Sequence, residues 1–539
     1  MRRSVATCLL ILALVQATTL AQNDARELWL ARAQNLTSDL LKDGSDLSST
    51  ERAVLWAKLA QRWWSEDPKR ARGWIANAVE TVEQVPNKEN PDEQQQRVAT
   101  AQVLLEIVTP LDQKLSNRLL TLLSPDKSTR EAGNGTAFAL MNAANALVEE
   151  DPERAAALGA LALRTGQPNN LDPLFYGLRA KNPKLADSLF VQALALAKQN
   201  PDSMFTNVLT YIAFPTQRGR PGDIPVPPEP LRIELLQILM TLITANPSNG
   251  KNENSNCGAV IWLAPLYGEI ERLIPQQWPV LRQAINTCQT VSPQIQQEIE
   301  HNSSNHRVET VESLLSASAD VKEIGTRTSF KYRAAALAEE HMDYERALKI
   351  LDDMSKEERE LMGESWTSCR WDWAADGAIY HFKNSRFREM NVLLDGVPSD
   401  LRPLAKVAFI HRLPEVKVSE AAPVIQILND ATTELRRSSI PGEQKSYWYM
   451  ALVRPTITYL PADANALLKD TVGSLNQLKD GQQLDTNDPF KVIGPSLLEM
   501  DEFVVKDALA SVKLAQTRAQ LRLSVLDATL KRLNTASRH

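Results

Sequence analysis

Two stretches of this 539-residue chain, 84 residues apart, follow one template. Residues 52–79 read RAVLWAKLAQRWWSEDPKRARGWIANAV, and residues 136–163 read TAFALMNAANALVEEDPERAAALGALAL. In each, an apolar pattern of helical period runs into an acidic residue and then Asp-Pro, and a second helix opens with a charged residue, Arg and Ala. Asp67-Pro68 and Asp151-Pro152 place a cap acceptor ahead of a proline at the first helical position, where the missing N–H costs nothing. Helix pairs repeated in this way cannot bury their apolar faces alone, and they stack into elongated arrays. The template therefore predicts an all-α fold, a right-handed α-solenoid of stacked antiparallel helix pairs.

The same device recurs further along. Asn182-Pro183 precedes KLADSLFVQALALAKQ, and Asp343-Tyr344-Glu345-Arg346-Ala347 repeats the start without the proline. Ala71, Ala155, Ala186 and Ala347 follow these starts, each with a larger apolar residue three on: Trp74, Leu158, Leu189 and Ile350. A small residue lets two helices approach closely, and the larger one fills the groove between pairs. The pairs at 52–79, 136–163 and 331–354 resemble the tetratricopeptide-like α-solenoid superfamily. The resemblance is one of pattern: the Trp–Leu–Gly–Tyr set of that family's first helix is absent, and the spacing is not a steady repeat of about 34 residues. It implies a curved surface offered to a protein partner, and it carries no functional residue across.

Three segments interrupt the helical pattern. VPNKENPDEQQQ (85–96) is a polar loop leading into a helix, FPTQRGRPGDIPVPPEP (214–230) is the most proline-dense stretch, and NPSNGKNENSN (246–256) reads as a flexible linker. The linker divides a repeat region over 22–245 from a second over 257–539, whose end, DEFVVKDALASVKLAQTRAQLRLSVLDATLKRLN, forms two capping helices with a polar outer face. Pro227-Pro228-Glu229-Pro230 within the proline-dense segment is a PxxP pattern of the kind aromatic grooves dock.

Arg2 and Arg3, the apolar run Cys8–Val15, and Thr19 and Ala21 ahead of a cut after Ala21 have the grammar of a secretory signal peptide over 1–21. That run is too short to span a bilayer. The expected location is periplasmic or secreted. Export permits a disulfide. Cys257 and Cys288 flank a helix, a break at Pro275–Pro279 and a returning helix, so a hairpin would bring the two thiols to one end; the other reading is two buried thiols on separate helix ends. A bridge there would stabilise the fold by roughly 3–4 kcal/mol. Cys369 is left over and reads as a small buried hydrophobe.

The formal charge of −6 is spread without a long single-sign run. Neither nucleic acid nor an anionic membrane surface is gripped by such a balance. No HExxH, CxxC, GxSxG, GxxxxGK[ST] or GxGxxG stands in the chain, and His301 and His306 are five apart in a polar loop, so no cofactor or metal is expected. Glu364-Ser365-Trp366 looks similar to the catalytic motif of solenoid-bearing lytic transglycosylases. Their downstream Leu-Met-Gln stretch is missing, and TSCRWDWAADGAIYHF follows instead. The remaining candidate is the cluster Trp366, Arg370, Trp371 and Trp373: on a helix Trp366 and Trp373 share a face while Trp371 points away, and Trp and Arg are common anchors of recognition surfaces. The expected function is a non-enzymatic scaffold binding a protein partner; the alternative is a binder or enzyme of cell-wall glycan, with Trp371 and Trp373 stacking on sugar.

Overall fold

The computed structural model describes residues 26–84, 91–123, 130–166, 168, 170–199, 203–215, 225–244, 260, 263–291, 310–413, 416–417, 421–478 and 489–536. Among these residues the chain is all helix and turn, with no strand. The chain forms two compact units: Ser48–Val308, and a second built from Met1–Leu47 together with Glu309–His539. The expected leader over 1–21, the linker over 246–256, Cys257 and both histidines of the 301–306 loop lie outside the described residues, as does the side chain of Cys288.

The unit Ser48–Val308 alternates leading and returning helices. The leading helices Ser49–Trp63, Pro91–Val108, Arg130–Leu147, Leu171–Lys181 and Ser203–Ala213 pack side by side, each against the next. Pro68–Gln84, Gln113–Leu123, Pro152–Thr165, Pro183–Gln199 and Glu229–Thr244 return behind them. The Asp-Pro starts work as the sequence requires. Asp67 and Asp151 each accept a hydrogen bond from the backbone N–H three residues on, at 3.0 Å. Ala71, Ala155 and Ala186 are fully buried, as are the large core residues Phe175, Phe190 and Phe205. Leu158 is only half-buried. The close approach falls one residue later, at Gly159, where an added Cβ would sit 2.6 Å from Leu174 Cδ2. The proline-dense segment ends in order: Pro227 is buried, and the Pro228 carbonyl accepts from the Leu231 and Arg232 N–H groups at the start of Glu229–Thr244.

In the second unit the leading helices are Ile324–Glu340, Glu364–Lys383, Arg402–Arg412, Gly442–Tyr459 and Pro489–Leu497. From Glu364–Lys383 onward each packs on the next, and Pro489–Leu497 packs on the final helix Ala515–Ala536. Tyr344–Asp352, Phe387–Asp395, Ala422–Arg437, Ala464–Leu475 and Glu502–Ala510 are the returning helices. Two consecutive pairs share a turn: Met342 (φ 60°) and Ser385 (φ 58°) both adopt the left-handed conformation after the leading helix. In each the next N–H reaches back five residues, Asp343 to the Ala338 carbonyl and Arg386 to that of His381, both at 2.9 Å. This closes the helix end without glycine.

Neighbouring pairs are also locked by charge. Asp352 and Asp395 each end a returning helix, where the helix dipole disfavours a carboxylate. A cation from the next leading helix compensates. Arg370 takes Asp352 at 2.8 and 3.0 Å, and Lys406 reaches Asp395 at 3.4 Å and Glu434 at 2.8 Å.

Candidate functional site

The tryptophan cluster lies on Glu364–Lys383, and most of it is committed to packing. Arg370 is 5% exposed; beyond its two bonds to Asp352 it donates to the Gly396 carbonyl at 3.0 Å. Trp366 donates from Nε1 to the Leu351 carbonyl at 3.0 Å, with the Arg359 guanidinium 5.0 Å from its ring centre. Both residues therefore hold the C-terminal end of Tyr344–Asp352. Trp373 is 8% exposed and lies nearly parallel to the Tyr332 ring, centroids 6.3 Å apart. Trp371 is half-buried and edge-on to Trp448 at 5.2 Å, which in turn meets Tyr447 at 4.9 Å. Glu364 is exposed as the first residue of its helix.

What the cluster points to is the neighbouring strip of polar and aromatic groups on the same leading helices. Cys369, Asp372 and Asp376 follow helical spacing and so share a face of Glu364–Lys383. Tyr332 and Glu339, two turns apart, share a face of Ile324–Glu340. Arg412, at the end of Arg402–Arg412, pairs with Asp372 and lies 3.0 Å from Asp376, which holds its guanidinium firmly charged.

Glu339 is different. No ion pair engages it among the described residues, and burial pushes its carboxyl pKa up, with Asp376, Glu340 and Asp372 adding to the rise. The same crowding is felt by its neighbours. Burial, and then the charges of Glu339 and Asp376, raise the Tyr344 phenol. Burial likewise raises the Cys369 thiol, with a hydrogen bond to Tyr332 opposing and the charges of Asp372 and Glu339 adding. Asp372 and Asp376 thus share one guanidinium, while Glu339 feels both carboxylates, on a partly dry surface that includes Tyr332, 38% exposed.

The sequence held one signal for this site. Asp372 and Asp376 stand four apart on one helix face, an arrangement that is unfavourable without a cation between them. Nothing local links them to Glu339 or Tyr332 on another helix.

No helix of the described residues is long and apolar enough to cross a membrane. No family model and no curated protein sequence matches the chain. Among solved structures, a "circular tandem repeat protein with novel repeat topology and enhanced subunit contact surfaces" aligns over 90% of this chain and 96% of its own, at 14% identity and a TM-score of 0.22. The helical-repeat assignment rests on the helix pairs described above.

Proposed function

We propose that the chain is an exported protein-binding scaffold. Its leading-helix face around Glu339, Asp372 and Asp376 receives a partner segment that carries a lysine or arginine. The observation behind this reading is Glu339. A half-buried carboxylate crowded by other carboxylates and held by no cation among the described residues raises the energy of the free protein. An incoming ammonium or guanidinium removes that strain, and exposed Tyr332 on the same helix suits its aliphatic stem and charge. Residues that carry such a cost are candidates for function rather than stability.

Two consequences separate this reading from a purely structural role. Glu339→Gln is expected to raise thermal stability at pH 7. A carboxyl whose folded pKa is raised binds protons more readily in the folded state, so its penalty is fully present above the raised value, shrinks as pH falls below it and is gone below the unfolded value. The gain should shrink towards zero on acidification, measured as melting temperature against pH. The same variant combined with Asp376→Asn should weaken a basic peptide ligand by roughly tenfold or more, with a shallower salt dependence. Equal affinity for wild type and variant would remove the proposal. Stacking of Trp373 on a glycan is disfavoured by its 8% exposure beneath Tyr332.

A further inference from the structure

The helix over 26–43 belongs with the far end of the chain. Ala33, Thr37 and Leu40 are fully buried at helical spacing, and Trp29 and Leu36 pack on the apolar core of the unit that runs from Val311 to Ala528. Its C-terminal turn is pinned by charge. Asp43, 5% exposed, accepts from Arg518 Nε at 2.8 Å and from Arg522 Nη1. Arg518 also donates to Asp46 at 2.9 Å, and Arg522 to the Asp39 carbonyl at 3.2 Å. The opposite end is looser: Arg32 and Glu502 approach only to 3.9 Å, and Leu28 and Phe503 are 67% and 84% exposed.

Three features make this a docked element rather than one more repeat. The segment's own charge is wrong for a free helix, since Asp39 and Asp43 sit at the C-terminal end, where the dipole disfavours them. A helix in a protein draws most of its stability from packing its apolar face, and for this segment that packing comes from the core of the unit running from Val311 to Ala528. Its ion partners lie more than 470 residues away in sequence. The final helix Ala515–Ala536 therefore does not present the polar outer face expected of a cap. It presents Arg518 and Arg522, one turn apart, over an apolar stripe.

We propose that the surface formed by Ala515–Ala536 and Glu502–Ala510 is a docking site for a helix with an acidic C-terminal turn, and that residues 26–47 are its resident occupant. The segment is a latch that leaves and returns while the rest of the chain stays folded.

The test uses the full chain with a specific protease site inserted between Leu47 and Ser48, the uncut protein serving as the folded reference. After cleavage the fragment ending at Leu47 should co-elute with the remainder as a particle of unchanged mass. A labelled peptide of residues 26–47 should exchange into the cut protein but not into the uncut one. The Asp43→Lys peptide should exchange about 100-fold less well, because it sets a third cation against Arg518 and Arg522. Asp46→Lys alters an exposed partner of Arg518 and should speed release of the fragment several-fold without unfolding the chain. Immediate loss of the wild-type fragment, or equal exchange of wild-type and Asp43→Lys peptides, would overturn the proposal. A particle of twice the mass would assign the site to the helix of a second copy and overturn the resident assignment.

Discussion

Glu358→Gln is expected to cost about 3–5 kcal/mol, the usual penalty for removing one partner from a buried ion pair. Glu358 is fully buried and accepts from Arg327 Nε at 2.7 Å, Lys331 Nζ at 2.8 Å and the Ser355 N–H at 2.7 Å. It also caps its own helix, its N–H meeting Ser355 Oγ at 3.3 Å. A glutamine in the same place turns an NH2 group towards a cation whichever way the amide faces. Burial pushes the carboxyl pKa up, but the hydrogen bonds from Lys331, Arg327 and Ser355 outweigh it and hold the group down from the usual 4.5 to about 2. A folded pKa below the unfolded one means that the contribution is fully present above about pH 4.5 and is lost as pH falls towards 2. Wild type and variant should therefore converge over that window. Hydrogen exchange in Ile324–Glu340 and Lys356–Met362 is the suitable readout, because a chain of two units need not unfold in one transition.

Gly494→Ala should destabilise the second unit by about 3 kcal/mol or more, at the upper end of overpacking costs. A Cβ at Gly494 would stand 2.2 Å from the Ser524 carbonyl oxygen and 2.5 Å from Ser524 Oγ, where the Gly494 N–H now donates at 3.1 Å. The obstacle is helix backbone, which cannot rotate aside as a side chain can, so Pro489–Leu497 and Ala515–Ala536 must part. Gly473→Ala makes the contrast: nothing lies within 4 Å of its added Cβ, and an exposed helix position gains roughly 0.5–1 kcal/mol from alanine. If Gly494→Ala were no more destabilising than Gly473→Ala, the close approach to Ser524 would not be what requires glycine there. Since Ala515–Ala536 carries Arg518 and Arg522, Gly494→Ala should also loosen residues 26–43.

The fold was largely legible because its signals are local. Asp67, Asp151 and Asp343 announce helix starts within four residues of the groups they cap, and Ala71, Ala155, Ala186 and Ala347 mark close approach by size alone. The site was legible only in part. Helical spacing placed Trp366 and Trp373 together, but nothing nearby said that Tyr332 covers Trp373 or that Asp352 engages Arg370, 18 residues earlier. Asp372 and Asp376 meet Arg412 at separations of 40 and 36 residues, and Asp43 meets Arg518 at 475. Charge pairs of that range leave no periodic trace, so sequence reading favoured the bulky tryptophans over the small aspartates beside them. The docking of residues 26–43 was out of reach for the same reason.

The central claim is that the face around Glu339 binds a basic protein segment, and site-specific photo-crosslinking tests it most directly. A benzophenone side chain at exposed Tyr332 is compared with one at Val392, 64% exposed on the returning helix Phe387–Asp395, in the full chain incubated with a whole extract of its source cells. The account predicts a saturable crosslink at position 332 to one protein, mapping by mass spectrometry to a segment with lysine or arginine. That crosslink should be lost in Glu339→Gln/Asp376→Asn and absent at position 392. Crosslinks equal at the two positions, or a crosslink at 332 that survives the double substitution, would contradict it.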